Sequence, residues 1–524
     1  MSVAAPDPAP GDLLFDSADW TFERMDRTYA AIEEIALGDL GLDVYANQIE
    51  IISSEQMLDA YSSFGMPLMY QHWSFGKRFA RDSHLYRGGH TGLAYEIVIN
   101  SNPCISYNME DNSMALQALV MAHAAFGHNH FFKNNYLFRQ WTDADTVLDQ
   151  FQAAKNLVSR CEQRHGFEAV EATLDAAHAI MDQGVFRYAR PPEPTREEIK
   201  RRRRELQDYA ERSYNDLWRT VPRGPEAAEA DSDEQAASAR RRALKLPEEN
   251  LLYFLELNSP SLEDWQRELL AMVRGIAQYF YPQRQTKVMN EGCATFVHYT
   301  IMQTLYDRGH INDGAMLEIL QNHSNVVMQP EFDDPRFSGL NPYALGFNMM
   351  CDIRRICETP TDEDREWFPD IAGDPDWRGV LKRAWADYRD ESFIRQFLSP
   401  HLMRKMKLFA YLDRSEADHV EISAIHNRRG YRGVREALAR TYDPAVSDPD
   451  IQVHDADLKG DRVLQLRHTV RDGVLLGREM RDEVLKHVRT LWGYDVTLQG
   501  IDGDSDRVLY TVPEPSEPEI LDTV

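Results

Sequence analysis

Residues 121–135 read MAHAAFGHNHFFKNN and place His123, His128 and His130 at the end of an apolar helical stretch. Histidine is the commonest metal ligand among side chains and is mostly partly exposed. Three imidazoles this close together therefore rarely serve only to pack the core. The apolar spacing predicts one helix over residues 112–132 that carries all three rings. The segment therefore indicates a helical fold and a place where imidazole chemistry is to be expected.

The flanking sequence predicts a mostly α-helical N-terminal body with a small β-layer. Alternation and β-branched residues in YEIVINSNPCISY, residues 95–107, fit a strand that ends at Asn102-Pro103, where the Asn-rich stretch is typical of a turn. At residues 341–357 Asn341-Pro342 supplies a helix N-cap and a proline at the first helical position. Apolar periodicity predicts further helices at residues 19–37, 145–164, 167–182, 262–281 and 287–307.

Several stretches interrupt or flank this pattern. Residues 222–250 are rich in Ala, Glu and charge and are predicted to be an exposed linker or insertion, whereas the acidic, proline-containing residues 358–377 are predicted to be a long surface loop. Residues 1–13 are predicted to be a disordered tail and residues 511–524 an acidic tail. The DIRRI stretch at residues 352–356 is expected to make a structural ion pair across helices.

The last hundred residues change character. The order of strand-like and helical patterns is βαββαβ, which predicts a C-terminal α+β ferredoxin-like module. The predicted elements are a strand at 419–426, a helix at 431–442, a hairpin of strands at 451–458 and 462–470, a helix at 476–493 and a strand at 494–500. We therefore expect a helical body at residues 14–400 and this module at residues 401–510.

Composition argues against several classes of protein. The net charge of −27 argues against nonspecific binding to nucleic acid or to an anionic membrane. No run approaches the ~18 consecutive apolar residues of a membrane span, and the N-terminus lacks the basic and apolar regions of a secretory signal. Five scattered cysteines without CxxC spacing make a disulfide framework unexpected. A cytoplasmic location is therefore predicted.

The histidine spacing differs from that of a zincin helix. In HExxH the two ligands are four residues apart on one stripe, and the glutamate is the general base. Here the motif is HAAFGH, so His123 and His128 are five residues apart, about 140° around a regular helix, and Ala124 stands at the glutamate position. A π-bulge at Phe126-Gly127 would bring the two rings together. Alternatively, the helix ends early at Gly127 and His130 serves instead of His128.

Further candidate ligands follow downstream. MNEGCATFVH places Glu291 and His298 seven residues apart on one helix face, with about 10.5 Å between their Cα atoms, so one ion cannot easily take both. LDAAH places Asp175 and His178 three residues apart on one face, a spacing that suits helical ligation. The Asn-Glu-Gly opening is similar to the helix that supplies the glutamate ligand in gluzincin peptidases.

These residues predict a divalent metal site. We expect an ion, with zinc as the first choice, held by His123, His128 and Glu291 in a zincin-like α+β arrangement of strand, histidine helix and separate glutamate helix. His178 and His298 are expected to be further ligands or to orient the others. Because HAAFGH lacks its own general base, a carboxylate elsewhere must serve. The candidates are Glu171, Asp175 and Glu110. The alternative is that all of these are satisfied polar residues between packed helices.

Six motifs of unusual sequence run through the chain. They are QHWSFGKRF (71–79), YEIVINSNPCISYNMEDN (95–112), AHAAFGHNHFFKNNYLF (122–138), LDAAHAIM (174–181), YPQRQTKVMNEGCATFVHYTIM (281–302) and LNPYALGFNMMCDIRRI (340–356). In this order they resemble the SpoVR family (stage V sporulation protein R-like). The resemblance implies a bacterial or archaeal cytoplasmic protein, linked to spore cortex formation in spore-formers and often encoded beside a PrkA-type serine protein kinase and a von Willebrand A-like partner.

Two functions are predicted from these observations. The first is a cytoplasmic metal-dependent hydrolase of zincin-like design. Its substrate would be a peptide-like or peptidoglycan-precursor amide, a choice that follows from the family's link to the spore cortex. The second is a non-catalytic adaptor that works with the kinase and the von Willebrand A-like protein during sporulation or stress. In that case the helical centre is structural and the C-terminal module binds partners.

Overall fold

The computed structural model describes residues 12–62, 70, 72, 96–187, 238, 240–412, 421–458 and 460–513. Predictions for both tails, for most of the 222–250 linker and for almost all of the QHWSFGKRF motif concern residues outside these ranges. The chain divides into two compact units. The first unit is Met1–Phe167 with Tyr279–Asp448, and the second is Glu168–Gln278 with Pro449–Val524.

Helices dominate the described residues. Up to the middle of the chain the α-helices are α1 (Phe22–Glu33), α2 (Ser54–Ser62), α3 (Met114–Met121), α4 (Asn129–Asn134), α5 (Tyr136–Trp141), α6 (Val147–His165), α7 (Phe167–Ala179), α8 (Leu251–Asn258) and α9 (Asp264–Gln285). They continue as α10 (Lys287–Asp307), α11 (Asp313–Val326), α12 (Pro342–Glu358), α13 (Asp362–Trp367), α14 (Trp377–Asp387), α15 (Asp390–Phe397), α16 (Pro400–Lys405), α17 (Arg428–Thr441), α18 (Pro444–Ser447) and α19 (Arg478–Trp492). Two π-helices, Glu34–Asp39 and Ala122–His128, and a 3-10 turn, Met181–Gln183, accompany them. The helices predicted from periodicity are confirmed, with ends shifted by a few residues.

A small sheet provides the β-layer of the first unit. Its strands are β1 (Asn47–Ile52), β2 (Glu96–Ile99) and β3 (Cys104–Met109), in the order β1-β3-β2. β1 runs parallel and β2 antiparallel to β3. The strand predicted at residues 95–107 is thus two strands, joined at the Asn-rich stretch. The Asn102 side chain donates to Asp145 Oδ1 at 2.7 Å, which fits the predicted turn.

The helix α10 lies at the centre of the first unit. It is buried on nearly every side, which fits its lack of a polar stripe in the sequence. It crosses α12 at two glycines: a Cβ atom at Gly346 would lie 2.1 Å from the Val288 carbonyl oxygen and 2.7 Å from the Gly292 Cα atom. Only residues without a side chain allow so close a crossing. The two helices therefore form a rigid base on which the residues of α10 are positioned.

The region predicted as a long loop contains a capped helix. At α13 the Thr361 side chain accepts from the backbone N–H of Asp364, and the Asp364 side chain accepts from that of Thr361, so the two form a capping box. The Asp364 carboxylate also accepts from Arg355 at 2.7 and 2.9 Å, and Arg355 Nε donates to Asp352 at 2.8 Å. The ion pair predicted for DIRRI is therefore confirmed, and it explains why this acidic segment is ordered.

A second sheet belongs to the other unit. The strands β6 (Asp450–Ala456), β7 (Leu464–Val470), β8 (Val496–Asp502) and β9 (Val508–Val512) follow one another in sequence order, and α19 connects β7 to β8. Within this four-stranded sheet, β7 and β8 form the one parallel pair and the other neighbouring strands are antiparallel. Trp492, at the end of α19, is fully buried and stacks on Phe254 of α8, with 6.0 Å between ring centroids. This unit contains the helices α8 and α19, nearly all of α7 and most of α9.

The ferredoxin-like order predicted for the C-terminal module needs correction. Its expected first strand is β5 (Glu421–Ala424), which pairs with β4 (Ala410–Leu412) in a separate two-stranded sheet of the first unit. The following helix, α17, buries Tyr431 and Val434 in the core of that unit. Burial of this apolar face outweighs pairing with the hairpin that follows in sequence. The four-stranded sheet therefore lacks the βαββαβ order.

The fold is thus an α-rich body with small sheets and a C-terminal α+β module, in agreement with the broad fold class predicted from the sequence. Within the described residues we find no helix whose length and hydrophobicity would let it span a membrane.

Candidate metal centre

The two histidines of HAAFGH lie on a π-helical turn. Residues Ala122–His128 form a π-helix between α3 and α4. Its hydrogen bonds span five residues instead of four, so side chains five apart lie above one another. The rings of His123 and His128 accordingly meet, with 4.6 Å between their centroids and an interplanar angle of 84°. The π-bulge that the predicted pairing of these rings requires is present.

A glycine lets this turn approach α10 closely. A Cβ atom at Gly127 would lie 2.5 Å from the Cα atom of Ala294 and 2.9 Å from its Cβ atom. A larger residue would force the two helices apart. Gly127 thereby sets both histidines against the face of α10 that carries Glu291, Ala294 and His298, spaced three and four residues apart.

The helix α10 supplies an amide and a carboxylate to the histidines. His128 Nδ1 lies 2.9 Å from Asn290 Oδ1, and the tautomer that donates a proton to this oxygen has a lone pair on Nε2. That Nε2 atom lies 3.5 Å from Glu291 Oε2. His123 Nε2 lies 4.0 Å from the same oxygen. The predicted residues His123, His128 and Glu291 are thus brought together.

A second carboxylate comes from the first sheet. Glu96 is the first residue of β2, and its Oε1 atom lies 3.6 Å from His123 Nε2. Glu96, His123 and His128 each offer a ligand atom within 4.8 Å of the others. Sequence reasoning missed Glu96, because one glutamate at the start of a strand has no spacing that connects it to the histidine helix. Its only signal is an acid in an apolar, β-branched run.

The cluster combines neutral imidazoles with carboxylates that repel each other. Burial, together with the charge of Glu291, raises the pKa of Glu96 to about 8. Burial, together with the neighbouring His128 and His298, lowers the pKa of His123 well below its usual value. Among the described residues, no lysine or arginine forms an ion pair with Glu96 or Glu291. A cation bound between the two carboxylates would reduce their repulsion.

The unpartnered atoms of this cluster fit a metal ion. His123 Nε2 and Glu291 Oε2 are buried and have no hydrogen-bond partner among the described residues. An unpartnered buried polar atom costs about 1–3 kcal/mol, so two of them at one point are unexpected in a purely structural cluster. Imidazole nitrogens and carboxylate oxygens are also the donors that Zn²⁺ and related divalent ions take. We call Glu96, His123, His128 and Glu291 the donor cluster.

A chain of imidazoles leads away from the donor cluster. His123 Nδ1 lies 2.9 Å from His298 Nδ1, and His298 Nε2 lies 2.9 Å from Nδ1 of His323, on α11. Burial, with His323 nearby, lowers the pKa of His298 well below its usual value, and burial lowers that of His323 to about 4. His298 was a predicted ligand or orienting residue and lies beside the cluster. His323 was not predicted, since nothing in its local sequence links it to α10.

The other predicted site residues lie in other parts of the structure. Glu110 follows the end of β3, and its side chain is exposed. Glu171, Asp175 and His178 are on α7, within the part of that helix that belongs to the second unit. A role of these four residues in the site stays a prediction.

The alternative in which His130 replaces His128 is not supported. His130 Nδ1 contacts the backbone oxygen of Asp43 at 2.9 Å, and its ring packs against Trp385 with 5.5 Å between centroids. The ring therefore holds a loop that follows the first π-helix, whereas His128 turns toward α10.

The comparison with known proteins agrees with the sequence motifs. Residues 19–447 match the family model described as SpoVR like protein, and residues 449–503 match the model described as SpoVR-like C-terminal domain. The chain belongs to the SpoVR family. A relative of this chain, the uncharacterized protein YcgB of Escherichia coli (strain K12), is 52% identical over 486 residues, which cover 93% of each chain. No solved structure matches the chain.

In this SpoVR protein the donor cluster falls wholly within the longer of the two family matches. It also falls wholly within the first structural unit. The two family matches meet at residue 448, where the last part of that unit also ends.

Proposed function

We propose that this SpoVR protein is a metal-dependent hydrolase of zincin-like design. The observation that carries the proposal is the convergence of the donor cluster, in which two imidazoles and two carboxylates meet and His123 Nε2 and Glu291 Oε2 lack partners. The order of strand, histidine helix and separate glutamate helix is similar to that of zincins. HAAFGH is one residue longer than HExxH, and the π-helix accommodates the extra residue.

The chain's own residues would have distinct roles. His123, His128 and Glu291 would hold the ion, and Asn290 would keep His128 in the tautomer whose Nε2 lone pair faces it. Such an ion, when bound, lowers the pKa of a coordinated water to near neutrality. Glu96 is our choice for the general base that HAAFGH lacks, because its Oε1 atom is part of the cluster and can hold a proton near neutral pH. Glu110, Glu171 and Asp175 are candidates on sequence grounds alone.

The substrate class is inferred from the family. A peptide-like or peptidoglycan-precursor amide is supported by the link of SpoVR proteins to the spore cortex and by the zincin-like order of elements. Hydrolysis of an amide would use Glu96 to accept the proton that the reacting water releases.

Metal analysis of the purified protein tests the site. The wild-type chain, purified without chelators, is expected to contain stoichiometric zinc or another divalent metal. His123→Ala and Glu291→Ala are each expected to lose it, because each removes one of the three side chains proposed to hold the ion. His310→Ala is the matched control: His310 is also buried and bonded to the backbone, at Asp12, but lies outside the donor cluster. Retention of metal by either cluster variant would remove that residue from the site.

Activity tests the hydrolase itself. Peptides and peptidoglycan fragments incubated with the metal-loaded protein are expected to be cleaved, as followed by mass spectrometry. Glu96→Gln is expected to keep the metal and lose cleavage if Glu96 is the general base, since Gln keeps the size of the side chain and cannot take a proton. A wild-type protein that is free of metal after gentle purification would instead favour the adaptor function with a PrkA-type kinase and a von Willebrand A-like partner. A pull-down with the full chain would then test that function.

A further inference from the structure

Two of the three rings in the imidazole chain are not in the donor cluster. His298 is 1% exposed and His323 6% exposed, and among the described residues their rings form the hydrogen bonds of the imidazole chain. Tyr299 and Phe347 pack around His323, with 5.0 and 4.7 Å between ring centroids. Burial disfavours the charged form of all three rings, and His123 Nε2 also faces the carboxylates of the donor cluster.

A neutral imidazole has one N–H and one lone pair, so two orders of the protons give both ring-to-ring contacts one donor and one acceptor. In the inward order, His323 Nδ1–H donates to His298 Nε2, His298 Nδ1–H donates to His123 Nδ1, and His123 carries its proton on Nε2. In the outward order, His123 Nδ1–H donates to His298 Nδ1, His298 Nε2–H donates to His323 Nδ1, and His123 Nε2 is a lone pair.

Only the outward order leaves His123 able to bind a cation. In the inward order the His123 Nε2–H points into the donor cluster, where Glu96 Oε1 and Glu291 Oε2 are 3.6 and 4.0 Å away, too far for a good hydrogen bond. In the outward order every N–H between the rings has an acceptor, and the lone pair that is left over is the one that a metal ion would use.

We propose that His323 is a positioning residue for the metal centre: by accepting the proton of His298 it holds the imidazole chain in the outward order and so sets the affinity of the donor cluster for a divalent cation. This inference rests on the metal site of the proposed function. It extends the site to α11, a helix that contributes no member of the donor cluster.

Substitutions at position 323 separate this role from simple packing. In His323→Leu the outward order would leave His298 Nε2–H buried without an acceptor, whereas the inward order would leave only a lone pair, so the chain shifts toward the order that cannot bind metal. In His323→Asn the side-chain oxygen takes the place of Nδ1 and accepts the same proton. His310→Leu is the matched control, since it removes another buried ring from a backbone contact, at 3.1 Å, outside the chain.

The first measurement is zinc affinity, obtained on the full chain by competition with a chromogenic chelator. His323→Leu is expected to weaken zinc binding by about 10–100-fold, as for other residues that hold a ligating histidine in place. His323→Asn and His310→Leu are expected to stay close to wild type. Equal affinity of His323→Leu and wild type, or equal losses in the Leu and Asn variants, would overturn the inference.

The second measurement uses the wild-type chain and so does not depend on how the variants fold. In protein labelled with ¹⁵N at histidine, long-range ¹H–¹⁵N spectra distinguish the two ring tautomers. With zinc bound, His298 and His323 are expected to carry their protons on Nε2. An Nδ1 proton on either ring in the zinc-loaded protein would overturn the inference. If the wild type binds no zinc at all, the proposed function fails too, whereas a zinc-binding wild type with an unaffected Leu variant refutes the inference alone.

Discussion

At the scale of single residues, two groups of carboxylates in the described part of the chain have different kinds of partner. Asp352 and Asp364 are 5% and 2% exposed, and both are hydrogen-bonded to Arg355. Glu96 and Glu291 contact imidazoles and have no basic partner among the described residues. The first arrangement is a structural ion pair, whereas the second is the arrangement that our proposed metal site would complete with a cation.

Removing Arg355 from its ion pairs with Asp352 and Asp364 is expected to destabilise the fold strongly. Arg355→Met should lower the free energy of unfolding by about 3–5 kcal/mol in urea denaturation at pH 7, because Asp352 and Asp364 stay buried without their partner. Arg336→Met is the control, since Arg336 pairs with Asp334 on the surface and should have no measurable effect. A loss as small as that of the control would show that the buried pairs contribute little.

The same ion pair predicts how stability depends on pH. Burial alone would raise the pKa of Asp364, but hydrogen bonds from Arg355 and Thr361 outweigh it and hold that pKa at about 2, below the ordinary 3.8. Since the folded pKa is lower than the unfolded one, the stabilisation is complete above pH ~4 and is lost as the pH falls toward 2, by about 2 kcal/mol. In Arg355→Met this step should vanish from the acid range of urea denaturation curves. A step of unchanged size would assign the acid sensitivity to other carboxylates.

Residue spacing in the sequence predicts part of the donor cluster but not all of it. The imidazoles of HAAFGH and the acid of MNEGCATFVH stand out because two motifs each place chemically suited side chains at helical spacing. Glu96, Asn290 and His323 give no such signal. They join the site only because β2 and α10 pack against the π-helix and α11 packs against α10, and that packing depends on contacts between distant parts of the chain.

At the scale of elements, one inserted residue decides whether the site can form. A regular helix would turn His123 and His128 away from each other, and the π-helix Ala122–His128 returns them to one face. The unusual HAAFGH spacing indicates this bulge in the sequence, because two ligands five residues apart can meet in no regular helix. The close contact with α10 at Gly127 then fixes where the bulge lies.

Enlarging Gly127 is expected to separate the π-helix from α10. In Gly127→Ala the new methyl would lie 2.5 Å from the Ala294 Cα atom, so the helices must move apart. Stability should fall by about 1–3 kcal/mol, as for other overpacked cores, and the metal content of the purified protein should fall with it. The measurements are thermal unfolding and elemental analysis.

The control for Gly127→Ala is another helical glycine that has no close contact with a neighbouring helix. Gly275 lies in α9, and a Cβ atom there would meet nothing within 4 Å. Gly275→Ala should therefore stabilise the protein, by about 1 kcal/mol, because alanine favours the helix. If Gly127→Ala behaved in the same way and kept its metal, the close approach to Ala294 would not matter for the site.

Strand pairing is the part of the fold that local pattern predicts least well. The residues of β5 alternate as a strand should, but alternation does not tell which strand will be the partner. The buried face of α17 decides this by packing into the core of the first unit. In the region 358–377 local pattern predicts too little structure, because its prolines and acids are typical of a loop. The region contains the six-residue helix α13, which is stabilised by a capping box and a buried ion pair.

At the scale of the whole molecule, the donor cluster joins two distant stretches of the chain. Glu96, His123 and His128 come from the part of the first unit that ends at Phe167, and Glu291 comes from the part that begins at Tyr279. The intervening residues belong to the second unit. A metal ion would therefore tie together the two stretches that build the first unit, and its stabilising effect should be confined to that unit.

Hydrogen exchange can locate this effect. At a free zinc concentration of 100 times the dissociation constant, binding should stabilise the folded state by about 2.7 kcal/mol. Amides of the π-helix and of α10 should therefore exchange more slowly with zinc, whereas those of the sheet β6–β9 should exchange at the same rate with and without it, as measured by mass spectrometry of peptides from the intact chain. His123→Ala should abolish the difference. Protection that rose equally in both units, or that persisted in His123→Ala, would place the zinc elsewhere and contradict a metal centre between the π-helix and α10.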